Sequence, residues 1–245
     1  MLFRSDLGFT KSQHFVLGYD RSLGKDFRIK LETYYQYLFN VPVNIAKSSY
    51  SVLNYGDGFG VYLPDSLTNK GTGRNYGIEM TLEKFFSSGY YFLFTGSLFD
   101  SRYTASDGIE RNTAFNGKFT TNLLGGYEFK TGSKGNSLIN INGKCTFAGG
   151  RYYTPIDLPL SEVYGEFFPD ISKAYTQRYP DYFILDIRVG YKLNMKKITQ
   201  EWAIDVQNVT NQKNILTEDY NPATRSVVND YQLGIFPMIL YKIQF

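Results

Sequence analysis

The stretch Tyr241-Lys242-Ile243-Gln244-Phe245 decides how the rest of this sequence is interpreted. Counted back from Phe245, every second residue is an apolar side chain or proline, and polar Gln244 and Lys242 lie between them. The apolar positions are Ile235, Pro237, Ile239, Tyr241, Ile243 and Phe245. This period of two predicts a β-strand with one continuous apolar face. An aromatic residue at the end of such a strand is unusual, because chain ends mostly fray and carry polar residues.

The composition combines many aromatic residues with a negative mean hydropathy. The 245 residues include 22 Tyr and 20 Phe, yet no run of about 18 apolar residues predicts a transmembrane helix. A transmembrane β-barrel has both properties, because only alternate strand residues face lipid. The net charge of +3 is small and the basic residues are scattered, so nucleic acid is not an expected partner.

The same alternation recurs along the chain and predicts an all-β fold, an antiparallel up-and-down transmembrane barrel of which this sequence supplies nine strands. The predicted strands are residues 12–21, 26–41, 74–86, 90–103, 114–130, 137–153, 181–193, 201–214 and 228–245. Their connections alternate between short and long, and the long ones lie near 42–73, 104–113, 154–180 and 215–227. Transmembrane barrels place short turns in the periplasm and long loops outside the cell.

Aromatic residues are predicted to form two girdles, one at each end of the strands. Near the short turns are Phe27, Phe85, Phe86, Tyr90, Phe129, Trp202, Tyr241 and Phe245. Near the long loops are Tyr35, Tyr37, Tyr76, Phe99, Tyr152, Tyr182 and Phe183. Girdles separated by an apolar band fit a bilayer.

The opposite strand face carries too many charges for a dry interior. Its predicted members are Arg28, Lys30, Glu32, Glu79, Glu83, Asp186, Arg188, Lys192, Asp205 and Lys242. A wide lumen that holds water or a polar plug can accommodate them. Nine strands is also an odd number, and the sequence begins without a signal peptide. We therefore expect residues 1–245 to be the C-terminal part of one larger barrel domain.

Nothing in the sequence predicts an enzyme, a cofactor or a metal site. Cys145 is the single cysteine and falls on the apolar side of an alternating run, so no disulfide or cysteine-based metal site is expected. His14 is the single histidine and has no predicted nucleophile or orienting partner.

Five segments resemble parts of TonB-dependent outer-membrane receptors, and the first three of them resemble the closing strands. These three are Tyr76-Gly-Ile-Glu79-Met-Thr-Leu-Glu83, Asp205-Val-Gln-Asn208-Val-Thr-Asn211-Gln-Lys-Asn214 and Tyr241–Phe245. Asn112-Thr-Ala-Phe-Asn116 and Tyr152-Tyr-Thr-Pro155-Ile-Asp157 resemble the branch that carries an N-terminal carboxypeptidase-regulatory-like domain. The resemblance implies a 22-stranded barrel filled by a plug, of which this chain forms the last nine strands. It also implies a TonB complex that acts through an N-terminal region and plug absent from this sequence.

Candidate binding residues lie in the long loops, because loops on a rigid scaffold carry function. They are Tyr50, Tyr55, Phe59, Tyr62, Arg151, Tyr164, Phe167, Phe168, Tyr175 and Arg178. Exposed loop aromatics fit recognition of a siderophore, a sugar or a peptide, but they could equally pack the loops against one another. Asp186, Arg188 and Asp205 are predicted to form a charge network in the lumen, and Tyr241, Ile243 and Phe245 to be read by the barrel-assembly machinery.

The function predicted from these features is ligand capture by extracellular loops and TonB-energised import across the outer membrane of a Gram-negative cell. The unknown ligand, the TonB complex, outer-membrane lipid and the barrel-assembly machinery are the expected partners. Two alternatives remain open at this point: a passive porin or adhesin-like barrel without a plug, and a secreted carbohydrate-binding β-sandwich.

Overall fold

A computed structural model describes residues 7–57, 66–132 and 135–245. Its strands are β1 (Lys11–Leu23), β2 (Phe27–Asn44), β3 (Leu67–Ser87), β4 (Tyr90–Thr104), β5 (Glu110–Asn112), β6 (Phe119–Thr131), β7 (Ser137–Ala148), β8 (Tyr152–Tyr153), β9 (Gln177–Arg178), β10 (Tyr182–Asn194), β11 (Thr199–Gln207), β12 (Ile215–Asn221), β13 (Ser226–Tyr231) and β14 (Phe236–Gln244). Helix α1 (Leu158–Tyr164) and the 3₁₀ turns Val52–Asn54 and Ile171–Lys173 lie in the connections. Within the described ranges, no helix is long and apolar enough to cross a membrane.

One antiparallel sheet forms most of the molecule, in the order β1-β2-β3-β4-β6-β7-β10-β11-β14, with β5 paired to β4. Each strand on this path pairs with its predecessor in the chain's sequence of long strands, so the up-and-down fold is confirmed. We call these nine strands the wall. In the part of the chain that the structure describes, no ladder joins β1 to β14, and both strands are exposed throughout.

The predicted strand bounds were wrong mainly where strands meet the long connections. The predicted strand 228–245 divides in two: its first residues lie in β13, which pairs with β12 in a separate hairpin, and β14 begins at Phe236. The break follows from Gly234 and from Asn211, whose Oδ1 accepts a hydrogen bond from Ile235 N–H. The predicted strand 201–214 ends at Gln207, because Asn208 adopts a left-handed conformation (φ 49°) and turns the chain.

Other predicted strand ends next to the long connections also differ from the structure. The loop predicted at 42–73 is shorter, since β2 extends to Asn44 and β3 begins at Leu67. The strand predicted from residue 114 begins at Phe119, and the one predicted to reach residue 153 ends at Ala148. Residues 114–118 and 149–151 make loop contacts instead of ladder pairs.

Cross-strand register places a continuous band of apolar residues, to which all nine wall strands contribute, on one face. Ile187 pairs with Gly143 on one side and Val206 on the other, and Ile204 pairs with Val189 and Ile239. This apolar face is open: Ile239 is 86% exposed. The opposite, polar face carries the predicted charges in register, as in the pairs Arg28–Glu83, Glu32–Glu79 and Arg188–Asp205. A single sheet with an uncovered apolar face is not a sandwich of two packed sheets, so that alternative is wrong.

Two of the aromatic residues predicted for the girdle near the long loops lie on the polar face instead. Phe99 lines a polar-face cavity beside Tyr34 and Gln36, and Tyr182 lines another beside Asp186. Successive residues of a strand point to opposite faces. Leu98 and Phe183, the sequence neighbours of these two residues, occupy the apolar face of the same strands.

The end of the wall with short turns, the short-turn end, includes an unpredicted buried cation. Lys84 occupies an apolar-face position but is only 3% exposed. Its ammonium donates to the carbonyl oxygens of Phe85, Ser87 and Tyr90 and to the Ser87 hydroxyl, at 2.8–3.2 Å. It also lies 3.9 Å from the centroid of the Tyr90 ring. These contacts fold the charge into the β3–β4 turn and remove it from the apolar face.

The opposite end of the wall, the loop end, contains the four long connections, at 45–66, 105–118, 149–181 and 208–235. A small hydrophobic core lies there, between the ends of β2 and β4 and the connections. It joins buried Val43, Tyr103 and Ala105 with partly buried Leu53 and Tyr175. The loops are therefore packed against the strand ends and against one another.

Candidate functional site

The loop end is held together by hydrogen bonds between distant parts of the chain. The Tyr175 hydroxyl donates to Asp57 Oδ2 at 2.7 Å. Arg151 donates from one nitrogen to the Asp57 carbonyl at 3.2 Å and from another to the Leu216 carbonyl at 2.7 Å. Three of the four long connections therefore meet at Arg151 and Asp57.

Tyr175 is fixed by several contacts at once. Its backbone N–H donates to Thr154 Oγ1 at 3.2 Å, and its ring meets Tyr103 edge-on at 5.9 Å. Its backbone is left-handed (φ 53°), a conformation that costs a non-glycine residue about 1–3 kcal/mol and that clusters at functional sites. Burial, followed by the negative charge of Asp57, raises the pKa of the Tyr175 hydroxyl. The phenol therefore stays protonated and donates a hydrogen bond to Asp57.

A second set of contacts ties the β8–β9 segment to the β12–β13 hairpin. The rings of Tyr153 and Tyr179 stack at 4.0 Å. The Tyr153 hydroxyl donates to Glu218 Oε1 at 2.8 Å, and the Tyr179 hydroxyl accepts from Glu218 N–H at 3.2 Å. Burial, followed by the hydrogen bond to Glu218, raises the pKa of the Tyr153 hydroxyl. The hairpin is thus held by neutral phenols that bracket one glutamate.

Two neighbouring cavities open between these loops, and Asp57 and Tyr175 line both of them. The larger, which we call the tyrosine cavity, has a volume of about 570 Å³. Tyr50, Tyr55 and Tyr175 supply its rings, and its polar lining includes Asn44, Ser48, Ser49, Asn54 and Thr154. Its size falls in the range of small-molecule sites, which combine apolar walls with a few placed polar groups.

Asn54 is a buried amide among the residues that line the tyrosine cavity. The residue is 5% exposed, and its Oδ1 accepts from Ala114 N–H at 2.9 Å. Its Nδ2 is also buried, and the amide interacts with the Tyr103 hydroxyl. Asn54 therefore joins two connections to the end of β4.

The second cavity, of about 420 Å³, is charged, and we call it the arginine cavity. Arg151, Glu218 and Asp57 line it together with Tyr153 and Phe167. Arg151 also lies 6.0 Å from the centroid of the Tyr179 ring. The two cavities therefore differ in chemistry although they share a wall.

The structure brings only some of the predicted binding residues together. Tyr50, Tyr55 and Tyr175 line the tyrosine cavity, and Arg151, Phe167 and Tyr175 line the arginine cavity. Tyr164 and Phe168 pack on each other at 4.7 Å outside both, and Phe59 and Tyr62 fall outside the described residues.

Arg178 forms hydrogen bonds to the loop backbone. It donates to the carbonyls of Gly150 and Gly117 and pairs with Asp181 at 2.8 Å. Sequence reasoning missed Asn54 and Glu218 because an isolated amide or acid in a loop carries no pattern. It also missed Tyr153, although that residue lies within the quoted Tyr152–Asp157 segment.

On the polar face, Arg188 bridges two acids. It meets Asp205 at 3.3 Å and Glu201 at 2.9 Å. Asp186, predicted to join this network, instead accepts the backbone N–H of Asn208 at 2.9 Å and holds the turn after β11. Glu201 was not predicted, although its i−4 spacing from Asp205 places both on the same face of β11.

The two cavities offer aromatic and hydrogen-bonding groups. Across residues 7–57, 66–132 and 135–245, no cluster of three or more His, Cys, Asp or Glu side chains could hold a metal ion. Tyrosines, neutral amides and a few paired charges around two cavities are suited to recognising a ligand.

An up-and-down wall with an apolar face, a polar face and long connections at one end is the architecture of a transmembrane β-barrel wall. The family model described as TonB dependent receptor-like, beta-barrel matches residues 6–211, and the chain belongs to this family. No curated protein sequence matches the chain.

Solved structures of receptors share the fold at low sequence identity. The ferric yersiniabactin uptake receptor FyuA from Yersinia pestis is 14% identical with a TM-score of 0.64, over 94% of this chain and 29% of that one. The ferric-catecholate import receptor Fiu from K12 E. coli is 12% identical with a TM-score of 0.63, over 98% and 28%. The ferric preacinetobactin receptor BauA from Acinetobacter baumannii is 15% identical with a TM-score of 0.61, over 94% and 28%. The chain thus spans under a third of the length of these structures.

Proposed function

We propose that this chain is the C-terminal barrel wall of an outer-membrane receptor that captures a ligand at its loop end and imports it with energy from TonB. The observation that carries the proposal is the polarity of the wall. One face has a continuous apolar band, most charged residues of the wall lie on the other face, and both ligand-sized cavities lie at the loop end.

The apolar face is suited to lipid and the polar face to a water-filled or plugged lumen. In this proposal residues 1–245 form part of one barrel domain, and β1 and β14 pair with further strands that close it. A sheet edge left unpaired in lipid is strongly unfavourable, which supports the larger barrel. The protein then lies in the outer membrane of a Gram-negative cell with its loop end outside.

Import needs partners beyond this chain. A plug in the lumen would meet the charged face, including the Arg188–Glu201–Asp205 group. TonB would act on that plug and not on the wall. The proposed assembly signal remains at β14: Tyr241 pairs with Trp202 and Ile243 with Gln200, while Phe245 lies past the strand and is 96% exposed.

Topology and energy dependence test this proposal in cells that express the full-length receptor. In a Cys145→Ser background, Val163→Cys on α1 should react with a membrane-impermeant maleimide in intact cells, because Val163 is 77% exposed at the loop end. The control Lys196→Cys, in the β10–β11 turn, should react only after the outer membrane is permeabilised. The reverse pattern would contradict the orientation.

Uptake should then be measured for a panel of labelled ferric chelates, oligosaccharides and peptides, with and without the TonB complex. Accumulation that disappears without TonB is expected for the receptor. Accumulation that is unchanged without TonB would overturn energised import and favour a passive porin.

A further inference from the structure

We propose that charged residues on the apolar face of the wall, at the loop end of β3, β4 and β5, bind the phosphate of a glycolipid in the outer leaflet of the membrane. We call this surface the basic patch, and it consists of Arg74, Asp100, Arg102, Glu110 and Lys118. The inference rests on the membrane orientation in the proposed function. The patch shares no residue with the tyrosine cavity or the arginine cavity.

The register of β3 and β4 places the patch on the face that carries the apolar band. Ile78 pairs with Leu98 within the band, and Arg74 pairs with Arg102 four residues nearer the loop end. The ladder between these pairs has no register shift, and every second residue of a strand points to the same face. The described strands β6, β7, β10, β11 and β14 carry no charged residue on that face. The position of the patch is therefore exceptional.

Tyrosines surround the lower edge of the patch. Tyr35 pairs with Tyr76, and Tyr37 pairs with Arg74. The Tyr76 hydroxyl also donates to Asp100 Oδ2 at 3.1 Å. Tyrosine rings collect where a bilayer meets water, at the level of the lipid headgroups. In the proposed orientation the patch therefore lies at the depth of the outer-leaflet headgroups.

The charges within the patch do not balance. Arg74 pairs with Glu110 at 2.9 Å, whereas Arg102 and Lys118 both pair with the single carboxylate of Asp100. Three cations thus share two acids. Arg74 and Arg102 are also direct cross-strand partners, and like charges in that position repel each other. An anion that lies between the two guanidinium groups would reduce this repulsion.

Both arginines have hydrogen-bond donors to spare. In the described part of the chain, Arg102 donates to Asp100 through Nε, and Arg74 donates to Glu110 through one terminal nitrogen. A guanidinium carries five N–H groups, whose planar fork matches the oxygens of a phosphate. The side chains of Arg74 and Arg102 are 45% and 33% exposed. A phosphate can therefore accept hydrogen bonds from both without breaking either ion pair.

The apolar surface next to the patch favours a lipid over a soluble anion. Ile78 and Leu98 are exposed on the same face, and acyl chains would cover them while a phosphate contacts Arg74 and Arg102. Clusters of basic side chains beside a membrane-spanning segment bind anionic lipid headgroups in this way. On the loop-end side of a Gram-negative outer membrane, the abundant anionic lipid is a phosphorylated glycolipid.

The experiment titrates the full-length receptor in detergent with diphosphoryl lipid A and measures bound lipid by native mass spectrometry. Dephosphorylated lipid A, phosphatidylglycerol and inorganic phosphate are the comparison ligands. The double variant Arg74→Gln/Arg102→Gln should bind diphosphoryl lipid A at least about tenfold more weakly, the size of one lost charge-assisted hydrogen bond. The matched control Arg21→Gln removes an arginine from the same face at the short-turn end and should change affinity less than about twofold.

Glu110→Gln is the decisive second variant, because it should act in the opposite direction. It removes the carboxylate that competes for Arg74 and should strengthen lipid binding by about two- to fivefold. A variant that has misfolded cannot produce this gain.

Three results would overturn the inference. They are equal binding of phosphorylated and dephosphorylated lipid A, unchanged binding in the double variant, and binding of phosphatidylglycerol or inorganic phosphate as tight as that of lipid A. If the Val163→Cys labelling still places the loop end outside, such a result leaves the proposed function intact. Phosphate-dependent lipid binding by a receptor without TonB-dependent uptake would instead contradict energised import and leave the lipid site standing.

Discussion

Strands β10 and β11 pair without a register shift from Ile187–Val206 to Asn194–Thr199, whereas β12 and β13 shift register within their first pairs. The same difference is visible along β2 and β3, which are regular from Phe27 to Leu38 and irregular from there to the loop end. The wall repeats the same antiparallel strand pairing along its length. At the loop end, each hydrogen bond or ring contact joins a different pair of chain segments.

Sequence separation gives the comparison its physical meaning. In the wall's turns, Lys84 binds groups one to six residues away. At the loop end, Tyr175 reaches Asp57 across 118 residues and Arg151 reaches Leu216 across 65. The wall is therefore built from contacts between neighbouring strands, whereas the loop end is built from contacts between distant parts of the chain.

The largest expected effect is a charge on the apolar face. Ile187→Arg should lower the free energy of unfolding by about 2–4 kcal/mol, because in the proposed membrane orientation the side chain would meet lipid near mid-membrane. The control Val163→Arg, at an exposed loop-end position, should stay within about 0.5 kcal/mol. Urea titrations of the full-length receptor in lipid vesicles measure both. An equal loss of unfolding free energy in the two variants would contradict the assignment of a lipid-facing wall and water-exposed loops.

A smaller effect is expected from the buried cation at the short-turn end. Lys84→Met should cost about 1–3 kcal/mol, since the backbone carbonyls of Phe85, Ser87 and Tyr90 lose the buried ammonium that donates to them. The exposed Lys196→Met is the matched control in another short turn, between β10 and β11, and should be close to neutral. Because the contacts of Lys84 are local, hydrogen exchange should increase only around the β3–β4 turn. A spread of the effect into the loops would contradict that locality.

The smallest effect is expected from one bond between loops. Tyr153→Phe removes the hydroxyl that donates to Glu218 and should cost about 0.5–1.5 kcal/mol, because the ring stack on Tyr179 remains. Hydrogen exchange should accelerate in both the β8–β9 segment and the β12–β13 hairpin, which are far apart in sequence. Tyr127→Phe on the wall is the control and should leave both segments unchanged. Acceleration confined to β8 would show that the two loops open independently.

The wall was predictable because its signal is repeated. The alternation from Phe183 to Leu193 indicates both a strand and which of its residues are apolar. A register slip of one residue would place Asp186 and Arg188 on the apolar face. Lys84 was not predictable in this way. It breaks the alternation, and only the turn contacts explain how an apolar-face position tolerates a charge.

The loop end was predictable only in outline. Long connections rich in tyrosine indicated where a site would lie, but not which rings line a cavity and which pack on each other. Tyr175 and Tyr164 look alike in sequence, yet the first joins three chain segments and the second stacks on Phe168. The β12–β13 hairpin was missed because the strand predicted from Val228 was continued through the Gly234 break to Phe245.

The small core of Val43, Tyr103 and Ala105 has a consequence for how tightly a receptor of this kind can hold what it captures. When flexible loops bind a ligand, each segment that becomes ordered loses conformational entropy, and this loss makes the free energy of binding less favourable. Here strand ends and loops share one hydrophobic centre, with Tyr175 packed against it, so the walls of the tyrosine cavity are preorganised before any ligand arrives. Selectivity then depends on whether a molecule fits a standing shape, and differences among ligands should be expressed mainly in how slowly each one leaves.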